Sequence, residues 1–272
     1  MGIVNLTPDS FFAASRAGAD DAPARIGALF AQGADMVDLG AVSTRPGATA
    51  VRPEEEWQRL EPVLKALARS EVAYPQSGQP QLPDAGALPR ISIDTTCAQI
   101  VRRAYRVLGP FIVNDISAGE DDPEMLSTVA ELGLPYVAMH KRGNPRSMDS
   151  LCDYPQGVVQ AVLDYFEAFA GKAAAAGISN WIVDPGFGFA KTIAQNYELL
   201  AALQEFRRFS RPVLVGVADK RFTREIESFL PPVSGFETPT ERIHLEALRL
   251  GADILRVHDV KAAVRTLRAA AL

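Results

Sequence analysis

Eight short apolar runs, each delivering a polar side chain at its C-terminal end, recur along the 272-residue chain. They cover residues 1–5, 36–40, 91–95, 111–115, 136–140, 181–183, 213–217 and 254–258. Such runs are too short for helices and rich in the branched residues that strands favour. Stretches with helical spacing lie between them, at 22–33, 53–69, 98–108, 123–132, about 156–176, 196–206, about 240–250 and 260–270. Strict strand–helix alternation predicts an α/β fold, and the count of eight predicts a single-domain (β/α)8 TIM barrel over residues 1–272. An open doubly wound sheet accommodates the same alternation. Residues 74–89 carry Pro75, Pro80, Pro83 and Pro89, which predicts an exposed insertion without regular structure.

The stretch 181–192, WIVDPGFGFAKT, concentrates the local signals. A buried strand stops at Asp184, and Pro185, Gly186 and Gly188 then force a loop. A nucleotide-binding P-loop fails on spacing, because Ala190 and Pro185 stand where that motif needs glycine. Asp184 alone could be a turn former. The other strand ends argue otherwise. Asn5, Ser43 to Arg45, Asp94, Asn114, His140, Asp184, Lys220, and Arg256 with His258 all follow apolar runs. Each has a dull explanation as a cap. One shared mouth, where parallel strands of a closed barrel bring their ends together, accounts for all of them. Carboxylates and amides beside cations suit a ligand with a flat, donor-rich head and an anionic tail.

Composition narrows the partners. With 47% hydrophobic residues the chain can build a full core, yet no apolar run approaches the roughly 18 residues of a membrane span. A net charge of −5 without a basic tract excludes a nucleic-acid footprint. Cys97 and Cys152 form no CxxC pair, and no basic, apolar leader precedes the first run. Both features fit a reducing cytoplasm and argue against a disulfide framework or structural zinc.

Specific motifs go further. Residues 1–11 (MGIVNLTPDSF), 43–47 (STRPG), 93–95 (IDT), 114–117 (NDIS), 139–140 (MH), 184–189 (DPGFGF) and 256–259 (RVHD) resemble dihydropteroate synthase, in order and over nearly the whole chain. The resemblance implies a pterin-binding barrel that condenses 4-aminobenzoate with a dihydropterin methyl diphosphate, releasing pyrophosphate, in folate biosynthesis. It implies substrate-binding roles for Thr44, Arg45, Asp94, Asn114, Met139, Asp184, Phe187, Phe189, Lys220, Arg256 and His258. Asp94, Lys220, Arg256 and His258 would be catalytic, and Asn5 would hold Mg²⁺ with the diphosphate oxygens. Of Phe187 and Phe189, one is expected to pack and one to line the pocket. Loops at about 6–15 and 41–52 would cover the site. A cytoplasmic homodimer with late helices in contact, and a sulfonamide target, follow from the same likeness.

Some positions depart from the family pattern. The family's Ser-Arg-Lys-Ser is replaced by Ala218-Asp219-Lys220-Arg221, which removes a hydroxyl and puts an acid near the expected anion site; Arg221 could supply that charge instead. Phe12 to Ser15 and Ala41-Val42 also differ, and residues 222–240 lack the usual Gly-Thr helix start. The first strand begins at Met1, without the short segment that usually precedes it in the family, so the expectation is either an unplugged barrel floor or a trimmed start. These departures keep open a paralogue that binds pterin without turnover. A pterin-dependent methyltransferase on the same barrel would need a methyl-donor partner surface, for which no motif stands out.

Overall fold

The computed structural model describes residues 1–7, 21–42, 51–69, 81–82, 86–144, 146–218, 220–236 and 238–271. Eight parallel strands form its centre: β1 (Gly2–Asn5), β2 (Val37–Gly40), β3 (Ile91–Asp94), β4 (Ile112–Asp115), β5 (Tyr136–Met139), β6 (Trp181–Asp184), β7 (Leu214–Val215) and β8 (Ile254–Leu255). Six of them, β1 to β6, hydrogen-bond in sequence order, and β7 pairs β8. Two parallel bridges join these sheets, Val183 to Val213 and Gly2 to Val257. Backbone bonds from Val183 to Pro212 and from Ile3 to Val257, each 2.9 Å, seal the same seams. The ring is therefore closed in the order β1 to β8, as a TIM barrel requires, and the open-sheet alternative falls away.

Among the described residues, eight α-helices cover the ring: α1 (Ala22–Ala31), α2 (Pro53–Ala68), α3 (Ala98–Leu108), α4 (Met125–Leu132), α5 (Val158–Ala176), α6 (Ile193–Ala201), α7 (Pro239–Arg249) and α8 (Val260–Ala270). Their starts follow sequence chemistry. Pro53 opens α2 with Glu54, Glu55 and Glu56 in its first turn, where proline costs no hydrogen bond and acids favour the helix dipole. Thr192 caps α6 in a box with Gln195, and Thr238 caps α7 with Glu241. The latter shows what replaces the missing Gly-Thr start: a Thr-Pro entry with its own reciprocal cap. The segment expected as one helix over 196–206 is instead α6 followed by a 3-10 turn, Leu203–Phe209.

Strand alternation separates two cores. Outward residues such as Val4, Leu39, Ile93, Val113, Tyr136, Trp181 and Val215 pack under the helices. Inward at the N-terminal end, Met1, Met36, Leu88, Ile112, Val137, Ile182, Leu214 and Ile254 form a second cluster. Two sequence expectations change here. The floor is not unplugged, because this cluster fills it. The 74–89 insertion is neither wholly irregular nor wholly exposed: Gln81–Leu82 and Gly86–Ala87 pair as a short antiparallel ladder, and Leu88 is driven into the floor by its apolar side chain. The remainder of 74–85 lies outside the described residues.

Candidate active site

Register fixes what the mouth contains. Asn5 of β1 pairs with Gly40 of β2, Gly40 with Asp94 of β3, and Asp94 with Asn114 of β4. Met139 of β5 pairs with Asp184 of β6. All these side chains share the inward parity of their strands. Asp115, one residue on, faces outward and instead takes bonds from the Tyr136 hydroxyl (2.6 Å) and the Ser117 amide (2.7 Å).

A guanidinium ties the centre together. Arg256, just past β8, donates Nε to Asp38 (2.7 Å) and Nη2 to Asp94 (2.9 Å). Asp38 also accepts from Ser92 Oγ (2.6 Å) and Asn114 Nδ2 (3.1 Å). Burial pushes the Asp94 carboxyl up, Arg256 pulls it back, and Asp38 adds to the rise, leaving it at about 7. Burial is the main cause, and the Asp38 carboxylate, sharing the same cation, adds to it. Burial alone would lower Arg256, but those carboxylates outweigh it and hold the group firmly charged.

The other side is built from the loop after β6. Asp184 Oδ1 accepts the Gly186 amide at 2.8 Å. Burial raises this carboxyl, against the opposing pull of Lys220. Lys220 donates to the Phe187 carbonyl and its ammonium stands 4.8 Å from the centre of the Phe189 ring; burial lowers it to about 8. The Phe187 ring itself is fully buried and stacks on Phe222. Of the two phenylalanines, Phe187 is thus the packing residue, contrary to a pocket-lining role for its ring, and half-buried Phe189 stands beside Lys220.

Lys191 staples this loop. Its buried ammonium donates to the carbonyls of Gly186 (2.8 Å) and Phe189 (3.0 Å) and meets His140 Nδ1 at 3.0 Å. Burial lowers Lys191 to about 7 and lowers His140 well below its usual range. His140, expected with the other strand-end groups in the mouth, follows the outward parity of Ala138 and packs edge-on against Tyr165. Gly186 has φ +71°, and a Cβ there would lie 1.9 Å from the His140 carbonyl oxygen. Gly186→Ala is expected to destabilise the fold by more than about 2 kcal/mol, since left-handed strain and a backbone clash add. Urea unfolding measures it, and a loss below about 0.5 kcal/mol would contradict this geometry.

The structure brings together Asn5, Asp94, Asn114, Met139, Asp184, Lys220 and Arg256, with His258 half-buried two residues beyond Arg256. Thr44, Arg45 and Asp219 lie outside the described residues, as does most of both covering loops. Arg221 opens the 3-10 turn Arg221–Ser228 and is exposed. Sequence reasoning passed over Asp38 and Lys191. A charge in the middle of an apolar strand was the available signal for Asp38. Lys191 carries no sequence signal beyond its near-miss to a P-loop.

A family model described as "Pterin binding enzyme" matches residues 1–258. Dihydropteroate synthase of Escherichia coli is 36% identical over 98% of this chain and 89% of its own length. The chain belongs to the dihydropteroate synthase family. It is accordingly a transferase. A Pneumocystis carinii folic acid synthesis protein is 37% identical over 96% of the chain, which spans only 34% of that longer protein. Among solved structures, a Yersinia pestis dihydropteroate synthase in a sulfonamide drug complex superposes with a TM-score of 0.81 at 32% identity, covering 100% of this chain and 92% of that one. A Xanthomonas albilineans dihydropteroate synthase with 4-aminobenzoic acid gives 0.79 at 36% identity, over 99% and 90%. In dihydropteroate synthase terms, Asp94, Asn114, Asp184, Lys220 and Arg256 all fall on one rim.

A hard cation suits the oxygens found here. Asn5 Oδ1 and Asp94 Oδ2 converge across Gly40, 3.7 and 3.6 Å from where its Cβ would be. Among the described residues there is no cluster of three or more His, Cys, Asp or Glu side chains able to hold a metal alone.

Proposed function

We propose that this mouth joins 4-aminobenzoate to a dihydropterin methyl diphosphate, giving dihydropteroate and pyrophosphate. The methylene–oxygen bond to diphosphate breaks, a bond from the arylamine nitrogen to that methylene forms, and the amine loses a proton. The convergence of three acceptors, Asp94, Asn114 and Asp184, with the cations Lys220 and Arg256 carries the reading. A pterin edge is a row of N–H donors, which the acceptors meet. Lys220 would donate to the ring's acceptor side, and Arg256 would lie flat on the ring, its plane held by Asp38 and Asp94. Met139 and Phe189 would flank the ligand. Thr44, Arg45 and His258 would meet the diphosphate, whose departure builds negative charge. Asn5 would hold Mg²⁺ against the diphosphate oxygens, and the ion would supply positive charge there.

The pH dependence follows from the shifts. Pterin affinity is expected to rise as pH climbs through about 7, where Asp94 loses its proton and becomes an acceptor-only group. It falls above about 8, where Lys220 loses its charge. Titrating pterin binding by calorimetry between pH 5.5 and 9.5 checks this, and a flat profile would contradict it.

Pyrophosphate release with both substrates and Mg²⁺ tests the reaction. Tight pterin binding without turnover would favour the non-catalytic paralogue, the reading that Ala218 and Asp219 suggest. A cytoplasmic homodimer belongs to the same proposal. Phe229 stacks on Tyr197 at 4.1 Å beside α6 and remains 40% exposed, which supports a contact surface there. Sedimentation measures that state. No helix among the described residues is long and apolar enough to cross a membrane.

A further inference from the structure

Asp38 is fully buried one strand step below the rim, yet its carboxylate touches two side chains that the pterin reading places on the ligand. Its Oδ2 receives Asn114 Nδ2 at 3.1 Å and Arg256 Nε at 2.7 Å, and its Oδ1 receives Ser92 Oγ at 2.6 Å. A carboxylate can only accept, so the Asn114 amide must turn its NH₂ downward. That leaves the amide oxygen of Asn114 for the mouth. The same contact fixes one edge of the guanidinium while Asp94 fixes another at 2.9 Å, and these two anchors together with the side-chain stem set its plane. Holding a barrel together does not need this group, because a buried ion pair adds little stability over well-packed apolar residues of similar size. What it adds is orientation.

We propose that Asp38 is a positioning residue of the pterin pocket, which by binding Asn114 Nδ2 and Arg256 Nε from below makes Asn114 present its oxygen to the ligand and holds the guanidinium plane. This inference rests on the pterin reading above. It extends the selectivity for a donor-rich head group one layer beneath the residues that touch it. Asp38 itself meets no substrate.

The test compares the full-length wild type with Asp38→Asn and Ser92→Ala, using pterin and 4-aminobenzoate as calorimetric probes and KM for each substrate where turnover is measured. Asp38→Asn can still fill the space but no longer dictates which way the Asn114 amide faces. It is expected to weaken pterin binding by about tenfold or more while the KM for 4-aminobenzoate stays within about twofold. Ser92→Ala removes one bond to Asp38 but leaves both positioning contacts, so it is expected to lower the melting temperature without changing either affinity. A folded Asp38→Asn with wild-type pterin affinity would overturn the inference and leave the pterin reading standing. A wild type that binds no pterin would overturn both. If Asp38→Asn does not fold, nuclear magnetic resonance of the wild type decides. The Asn114 side-chain NH₂ protons are expected to be protected from exchange before ligand is added and to shift little on binding. Rapid exchange in the free protein, or a large shift with pterin, would count against Asp38 as their partner.

Discussion

Arg256→Met is expected to cost about 3–5 kcal/mol of folding stability and to abolish measurable pterin binding, the largest effect of any single substitution in the mouth. The guanidinium is the shared counter-ion of Asp38 and Asp94, at 2.7 and 2.9 Å. Methionine keeps most of the stem's volume but removes the charge. Two buried carboxylates then face each other uncompensated, and removing one partner of a buried ionic group is far more damaging than replacing the whole group. The sign of the pH response is fixed by the same argument. Asp94 already sits high, at about 7, with Arg256 pulling it down. Without Arg256 it rises further, so the variant's folded state takes up protons at higher pH than its unfolded state does. Its deficit relative to wild type should therefore shrink as the medium is acidified from alkaline pH down to about 7, where the wild-type Asp94 takes up its proton as well, and stay level below that. Urea midpoints at several pH values measure both the deficit and its slope. A loss under about 1 kcal/mol, or a deficit that grows in acid, would show that the fork is not what holds these carboxylates.

Asp184→Asn should weaken pterin binding by about 1–3 kcal/mol, roughly 5- to 150-fold in Kd. The amide can keep the bond from the Gly186 amide, so the loop turn survives. What disappears is a charged acceptor for the ligand and the counter-charge for two lysines. Asp184 raises both Lys220 and Lys191 against the lowering effect of burial. With the charge gone, both lysines lose their protons at lower pH than in wild type. The alkaline limb of pterin binding, set near 8 by Lys220, should move to lower pH in the variant. Calorimetry across pH separates the two effects: a constant loss from the missing acceptor and a shifted limb from the lysine. Unchanged affinity throughout would remove Asp184 from the pocket.

The two lysines illustrate how close the chain came to being readable without coordinates. Lys220 was picked out because it follows an apolar run, and that rule holds for Asn5, Asp94, Asn114, Asp184 and Arg256 too. The rule failed for His140, which also follows an apolar run but faces the helices, against Tyr165 and Lys191. Lys191 lies in a loop whose spacing excludes a P-loop, and no other local signal marks it. Only the fold shows its ammonium threading back to the Gly186 and Phe189 carbonyls. Phe187 and Phe189 are two residues apart in one glycine-rich loop and look alike on paper. Their surroundings separate them: the Phe187 ring stacks on Phe222, and the Phe189 ring meets the Lys220 ammonium.

By itself the amino-acid order determined the alternation of strand and helix, the count of eight that a barrel needs, the polar strand ends, and the family to which their motifs belong. These are local properties: branched apolar runs, turn glycines, caps and short motifs, each decided within about a dozen residues. The tertiary structure alone decided which charged groups meet. Asp38 finds Ser92, Asn114 and Arg256 at separations of 54, 76 and 218 residues, and those meetings depend on strand register. A shift of one residue in register would send every side chain of a strand to the opposite face. Register across a closed ring is set by all eight strands packing at once, so no single segment of the chain carries it.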